Sequence, residues 1–539
     1  MKIDILDTTL RDGAQGAGVE FSPDDKLRTI HRLDELGVSY IEVGMITSQA
    51  DKEFFDKLGS VKLNNAKLCV FCRTVKAGLS PDMDSHLVLS ANAPVPAATI
   101  YGKASLAHVT DVLGVTPEEN LRMIYESVKF LRDSGKEVIF DAEHFFDGYS
   151  ENPEYALKTL DTALVAGAKT AVLCDTNGGT LPDVVGVVAH AAVKRFGHRV
   201  GVHCHNDMGM AAACSVSAVI EGASQVHGTV MGVGERCGNA DLCTLIPVLQ
   251  LKLGMDCIGD NIHNLTRAAR SIVSSANLTF DERSPFVGGY AFTHKAGSHI
   301  DGVKKYPASF EHIPPELVGN ERNIVISSLS GRAAIMDKLR LSLPEEYASL
   351  EKNDERLVTL MNELKERESM GYDYEDAGAS FSLLCDKVFG IRNECFKLIS
   401  LKVMTDEMHD SSTEDSLHSS AVIKISVGGE QELAAGEGNG PVNALDEALR
   451  RALMPFYPEV GRMRLTDYRV RVLDSKATAS QVRVAIESTD GVAVWRTTGV
   501  SGDVINASWQ ALRDSVEYMI SQRERKTAET LKSYFEILK

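Results

Sequence analysis

Ile3-Asp4-Ile5-Leu6-Asp7-Thr8-Thr9-Leu10-Arg11-Asp12-Gly13-Ala14 stands near the start of the chain. A short apolar run breaks into a polar turn that lacks G-x-G-x-x-G, the phosphate-binding turn usual after the first strand of a doubly wound sheet. The same strand-like pattern then recurs. Apolar runs at 3–8, 40–44, 68–73, 98–102, 138–142, 171–175, 200–205 and 226–230 alternate with amphipathic stretches at 23–36, 50–58, 117–134, 153–166, 182–195 and 211–221. Ser22, Thr116 and Asn152 each precede a proline, which joins an N-cap to a rigid first helical residue. Eight strand–helix repeats in about 250 residues predict an α/β fold, the (β/α)8 TIM barrel.

In such a barrel, chemistry collects at the C-terminal ends of the strands. Those ends carry Arg11, Asp12 and Gln15, then Glu42, then Tyr101 and Lys103, then Asp141, Glu143 and His144. Further on stand Asp175, Thr176 and Asn177, then His203, His205, Asn206 and Asp207, and last the loop 232–240 with Arg236 and Asn239. Random placement would put as many charged groups on the opposite rim, so the convergence points to function.

Strand alternation turns His203 and His205 the same way, with Cβ atoms roughly 6–7 Å apart, near enough to close on one ion. Taken alone, a His-x-His is more often a pair of hydrogen-bonded structural histidines. Asp12 and the amide oxygen of Asn239 would complete a mixed N/O set with open positions. That set suits Mn²⁺, Mg²⁺ or Zn²⁺ without choosing among them. A 2-oxo acid could chelate there and have its ketone polarised. Arg11 would stabilise charge developing on oxygen during carbon–carbon bond formation; the plainer reading is a salt bridge. Glu42 and Glu143 are candidates to orient Arg11, hold water or bind substrate, or are buried structural partners.

Composition sets outer limits. The chain has 539 residues, 44% hydrophobic, long for one domain. A net charge of −18 argues against nucleic acid, whose phosphates want clustered Lys and Arg. Ten thinly spread cysteines fit reduced thiols in a cytoplasm. Cys69-x-x-Cys72 lies in a strand pattern with no second pair at zinc spacing, so it reads as structural. The N-terminus shows no signal or transit pattern, and no apolar run approaches the ~18 residues of a membrane span.

Asp7-Thr8-Thr9-Leu10-Arg11-Asp12-Gly13, His203-x-His205-Asn206-Asp207 and Gly232-x-Gly234-Glu235-Arg236-x-Gly238-Asn239 closely resemble the DRE-TIM metallolyase superfamily. The likeness is to its branch that condenses acetyl-CoA with a 2-oxo acid: the isopropylmalate, homocitrate and citramalate synthases. Asp141–Tyr149, Leu173–Pro182 and Pro315–Arg322 are similar to the long-chain citramalate type. The resemblance implies Asp12, His203, His205 and Asn239 as metal ligands, and Arg11 beside the enolate-like species. It further implies His299 in Phe292–His299 as the general acid/base, for which Glu143 is the candidate supporting carboxylate, while Arg11, Glu42 and Thr176 stand on the rim as candidates to bind substrate. It also implies pyruvate and acetyl-CoA as substrates, isoleucine as feedback effector, and a homodimer whose linker carries the catalytic His to the partner's barrel.

Two positions depart from that pattern. Val43–Ser48 replaces a Gly-Trp-Pro-Gly-like run, and Phe310 stands where many condensing relatives carry Tyr. A superfamily lyase is disfavoured, since lyases lack a C-terminal repeat and use a loop Cys. An idle sensor is disfavoured by the open metal set.

Residues 277–380 read as a helical linker subdomain, with helices at 331–341 and 344–370. From 381 the texture turns to two βββα units. Asn443-Ala444-x-x-x-Ala448-Leu449-Arg450 recurs as Asn506-Ala507-x-x-x-Ala511-Leu512-Arg513, offset by 63 residues. This predicts a C-terminal pseudo-symmetric βββα-repeat regulatory domain, after a barrel at 1–276. Residues 406–420 read as a mobile loop, and the glycine turns at 436–440 and 500–502 as an effector pocket or plain helix entries.

Overall fold

The computed structural model describes residues 1–295, 297–324, 335–336, 339, 347, 350–351, 353–392, 394–407, 417–473, 480–491 and 493–537. All eight runs are strands of one closed barrel, in chain order. They are β1 (Asp4–Asp7), β2 (Tyr40–Glu42), β3 (Lys67–Arg73), β4 (Ala97–Lys103), β5 (Glu137–Glu143), β6 (Thr170–Asp175), β7 (Val200–Cys204) and β8 (Gln225–Gly228). Every neighbour pair is parallel, and β1 pairs with both β2 and β8 to close the ring.

The outer helices begin where local chemistry starts them. Ser22 and Asp25 form a capping box for Pro23–Leu36, which ends at Gly37 in the left-handed region. Thr116 caps Pro117–Asp133, and Asn152 caps Pro153–Ala166. Thr47 and Ser48 both bond Asp51 at the start of Gln49–Leu58. Ile46 is buried in the core, so much of the unusual 43–48 run serves helix entry and packing. Ser85–Asn92, Phe145–Glu151, Leu242–Pro247 and Leu265–Ser275 also wrap the barrel. The first three are too short to show a helical period in sequence.

Strand alternation divides the core in two. Leu6, Tyr40, Cys69, Ala97, Ile139, Val172 and Cys174 fill the barrel interior. A larger apolar shell, Cys72 among it, lies between strands and helices. Cys69 and Cys72 therefore face opposite sides of β3 as free thiols, as the structural reading of that pair expects. At the N-terminal rim Tyr40 donates to Glu137 at 2.5 Å, Lys169 donates to Tyr40 at 2.5 Å, and Lys67 pairs with Glu137 at 2.9 Å. The opposite rim is thus charged too. What sets the C-terminal rim apart is the cluster of Asp12, His203 and His205, whose ligand atoms lie within 4.8 Å of one another.

The chain forms two compact units, residues 1–293 with 307–323, and 294–306 with 324–539. In the second, Lys397–Glu407, Leu417–Val427 and Glu430–Gly438 make one antiparallel sheet, followed by helix Pro441–Leu453. Arg464–Val472, Val482–Thr489 and Val494–Ser501 make another, followed by Val504–Ile537. The repeat has a packing cause. A Cβ at Gly436 would run into Ala444 and Ala448, and one at Gly499 into Ala507 and Ala511. Each helix seats on its sheet through a glycine, at the same place in each unit. Trp495 and Trp509 lie in the shared core with Ile423, Leu449, Ile486 and Leu512.

Helix Glu355–Ser369 starts later than the predicted 344, at Asp354, whose side chain caps it. Most of the predicted helix 331–341 lies outside the described residues, as do the inner residues of the 406–420 loop. Strand pairing runs through Glu407 and Leu417, which shortens that loop. Among the described residues no helix is long and apolar enough to cross a membrane.

Candidate metal centre at the barrel rim

His203 is the fourth residue of β7, and His205 follows the strand end. Both point inward, with ring centroids 5.2 Å apart. Their Nε2 atoms lie 3.7 and 3.8 Å from Asp12 Oδ2, which the turn after β1 supplies. Asn239 is brought in by backbone pairing. Asn206 N–H donates to Gly238 O at 2.9 Å and Ala240 N–H to Cys204 O at 3.0 Å, which sets residue 239 opposite His205. The Asn239 amide donates to Asp12 Oδ1 at 3.1 Å and Val233 O at 3.2 Å.

These residues fit a divalent cation. One atom each from Asp12, His203 and His205 lies within 4.8 Å of the others. The Oδ1 of Asn239 and the Nδ1 of both histidines are buried without a hydrogen-bond partner among the described residues. An unpartnered amide oxygen beside a carboxylate and two Nε2 atoms is a donor set that a cation satisfies, and it leaves each Nδ1 to carry the ring hydrogen. Burial pushes His203 down to about 3 and lowers His205, so both imidazoles are neutral with lone pairs free. Burial also works against the Asp12 charge, but Arg11, both histidines and Asn239 outweigh it and hold the carboxyl well below its usual range.

Arg11 bridges two carboxylates. Nη1 donates to Asp12 Oδ2 at 2.6 Å, Nε donates to Glu42 Oε2, and the guanidinium lies 3.9 Å from the centre of the Phe71 ring. Thr8 Oγ1 donates to the same Glu42 oxygen at 2.6 Å. Burial opposes the charge of Arg11, but Glu42, Asp12 and Asp141 more than compensate, so it stays protonated. Glu42 is fully buried and acts on Arg11.

The other rim residues divide. Glu143 pairs with Lys103 at 2.5 Å. Thr176 Oγ1 accepts from His144 N–H at 2.9 Å, and His144 sits at φ 57°, its ring stacked on His108 at 3.7 Å. Asp175 turns outward and accepts from Thr180, while Asn206 accepts from Ala211 N–H at a helix start, so these two shape turns. Gln15 is exposed. Arg236, at φ 58°, grips Asp207 at 2.8 and 2.9 Å and donates to Thr176 O at 2.7 Å, tying three strand ends together. His299 is exposed on helix Gly297–Lys305 of the second unit.

His227 stands apart from the predicted set. It is buried on β8 and faces into the barrel beside His203 and Asp141. Period-two spacing from Gln225 to His227 to Thr229 was the available signal.

Barrel, open rim and repeat module together define an HMGL-like barrel protein: residues 2–272 match the HMGL-like family model. Residues 286–369 match the homocitrate synthase post-HMGL domain-like family, and 377–520 the LeuA allosteric (dimerisation) domain. (R)-Citramalate synthases of Aquifex aeolicus and Geobacter sulfurreducens are 45% and 43% identical over 97% of this chain and 98% of theirs. That of Synechocystis is 42% identical over 95% of each chain. The chain belongs to the (R)-citramalate synthase family.

Proposed function

We propose that this chain condenses acetyl-CoA with pyruvate to give (R)-citramalate, the entry to the pyruvate route to isoleucine. One observation carries the reading: a buried Asp12–His203–His205–Asn239 set, in which Asn239 Oδ1 has no partner among the described residues, beside an arginine fixed between two carboxylates. A divalent ion there, Mn²⁺, Mg²⁺ or Zn²⁺, would polarise the ketone of the 2-oxo acid.

The chain's own residues do the rest. Arg11, held by Glu42 and Asp12 and stacked on Phe71, meets the negative charge that grows on the ketone oxygen without having to reorganise. Thr176 orients the substrate carboxylate. His299, reaching the barrel of the other copy and supported there by that copy's Glu143, removes a proton from the acetyl methyl group. The resulting carbon attacks the keto carbon, the alkoxide takes a proton, and water splits the thioester into carboxylate and free CoA thiol. In this proposal 1–276 holds the metal and substrates, 277–380 is the linker that carries His299 to the barrel of the other copy, and 381–539 pairs two copies and binds isoleucine as feedback effector. The assembly is a cytoplasmic homodimer.

A thiol-release assay with acetyl-CoA and Mn²⁺ or Mg²⁺ tests this against pyruvate, 2-oxoisovalerate and 2-oxoglutarate. Release with pyruvate alone is expected. Release with only 2-oxoisovalerate or only 2-oxoglutarate would make the chain an isopropylmalate or homocitrate synthase. No release with any of them would leave a non-catalytic binding protein.

A further inference from the structure

The alternation that turns His203 into the barrel does the same for Asp141 of β5 and His227 of β8. All three are buried. His227 Nδ1 lies 3.8 Å from Asp141 Oδ1, and its ring meets that of His203 edge-on at 5.5 Å. One atom from each of the three lies within 4.8 Å of the others. His203 Nδ1, both ring nitrogens of His227 and Asp141 Oδ1 have no hydrogen-bond partner among the described residues.

Buried polar atoms left without partners are destabilising unless something ties them together. A second cation could do so, or the pair could serve the ion at the rim. The chemistry of imidazole decides between them. A neutral ring has one lone pair, and His203 Nε2 already faces the Asp12 carboxylate at 3.7 Å. Its Nδ1 then carries the hydrogen and has no lone pair to give a second ion. A metal-ligating imidazole regularly donates that hydrogen to a carboxylate, which fixes its tautomer and ring orientation.

We propose that Asp141, backed by His227, is that acceptor. The two are positioning residues that hold His203 Nδ1–H, after a small side-chain rotation or across one bridging water, and so set the affinity for the divalent ion. Asp141 keeps an acceptor oxygen in either protonation state. The proposal rests on the reading of Asp12, His203 and His205 as metal ligands.

Isothermal titration of the full-length, chelator-treated protein with Mn²⁺ tests it. One ion per chain is expected. His227→Leu and Asp141→Asn each weaken Kd about 10- to 100-fold, and His227→Gln, which keeps a polar partner, regains affinity. The metal-free melting temperature stays level or rises in all three. Unchanged Kd in both His227→Leu and Asp141→Asn overturns the proposal, as does a lower melting temperature without a change in Kd. Two ions per wild-type chain, falling to one in either variant, also overturns it in favour of a second cation site. A wild type that binds no Mn²⁺ overturns the rim site itself, so the two failures are told apart.

Discussion

At His203 the burial that opposes protonation is what keeps a lone pair available for an ion. His203→Ala is expected to abolish retention of Mn²⁺ and turnover while the circular dichroism of the barrel persists; metal content by elemental analysis checks it. Arg11 makes a different demand. Lysine has a single ammonium and cannot span Glu42 and Asp12 as the guanidinium fork does. Arg11→Lys should lower kcat by about 10²–10³ with little change in KM for acetyl-CoA, read from steady-state kinetics. Asp7 gives a pH signature. Burial raises it to about 7, against about 3.9 for an unfolded aspartate. Between those values the folded state holds a proton that the unfolded chain has released, so Asp7 makes stability fall as pH rises from about 4 to 7. The effect is at most ~4 kcal/mol. Asp7→Asn should therefore melt higher than the wild type at about pH 8 and alike at about pH 4. Alternation put His203 and His205 on one face, and the polar residues at the other strand ends made the pair a candidate site rather than two structural histidines. Arg11 with Glu42 was harder, because the pairing spans 31 residues and forms only when the barrel closes β1 onto β2.

At the scale of elements, all eight strands were legible because turn chemistry and apolar runs agree. Their ends were not. β1 and β2 are shorter than their apolar runs, whereas β4 and β5 extend through the polar residues Lys103 and Glu143. Charge placement was also a weaker guide than partnering. Tyr40, Lys67, Glu137 and Lys169 close the far rim as one bonded group. Asn239 Oδ1 and the two histidine Nδ1 atoms, in contrast, lack partners among the described residues. The loop after β8 depends on its glycines. Gly238 has φ +86°, and a Cβ there would meet the carbonyl of Gly232, which accepts from Asn239 N–H at 2.9 Å. Gly238→Ala should displace Asn239 and weaken Mn²⁺ binding at least tenfold while the barrel stays folded, measured by calorimetry beside circular dichroism.

At the scale of the whole molecule, the barrel and the repeat module each bury a core of their own. Differential scanning calorimetry is expected to show two transitions, with Mn²⁺ raising only the one that belongs to the barrel. A single transition shifted as a block would show the units to be one cooperative body. The chain's two tryptophans, Trp495 and Trp509, both lie in the repeat module's core. Indole emission is therefore a local lamp: it is dark to the barrel and lit only by the module proposed to bind isoleucine. A shift in that emission on adding isoleucine, unaltered by pyruvate or Mn²⁺, would report the effector's arrival directly, with no turnover needed to see it.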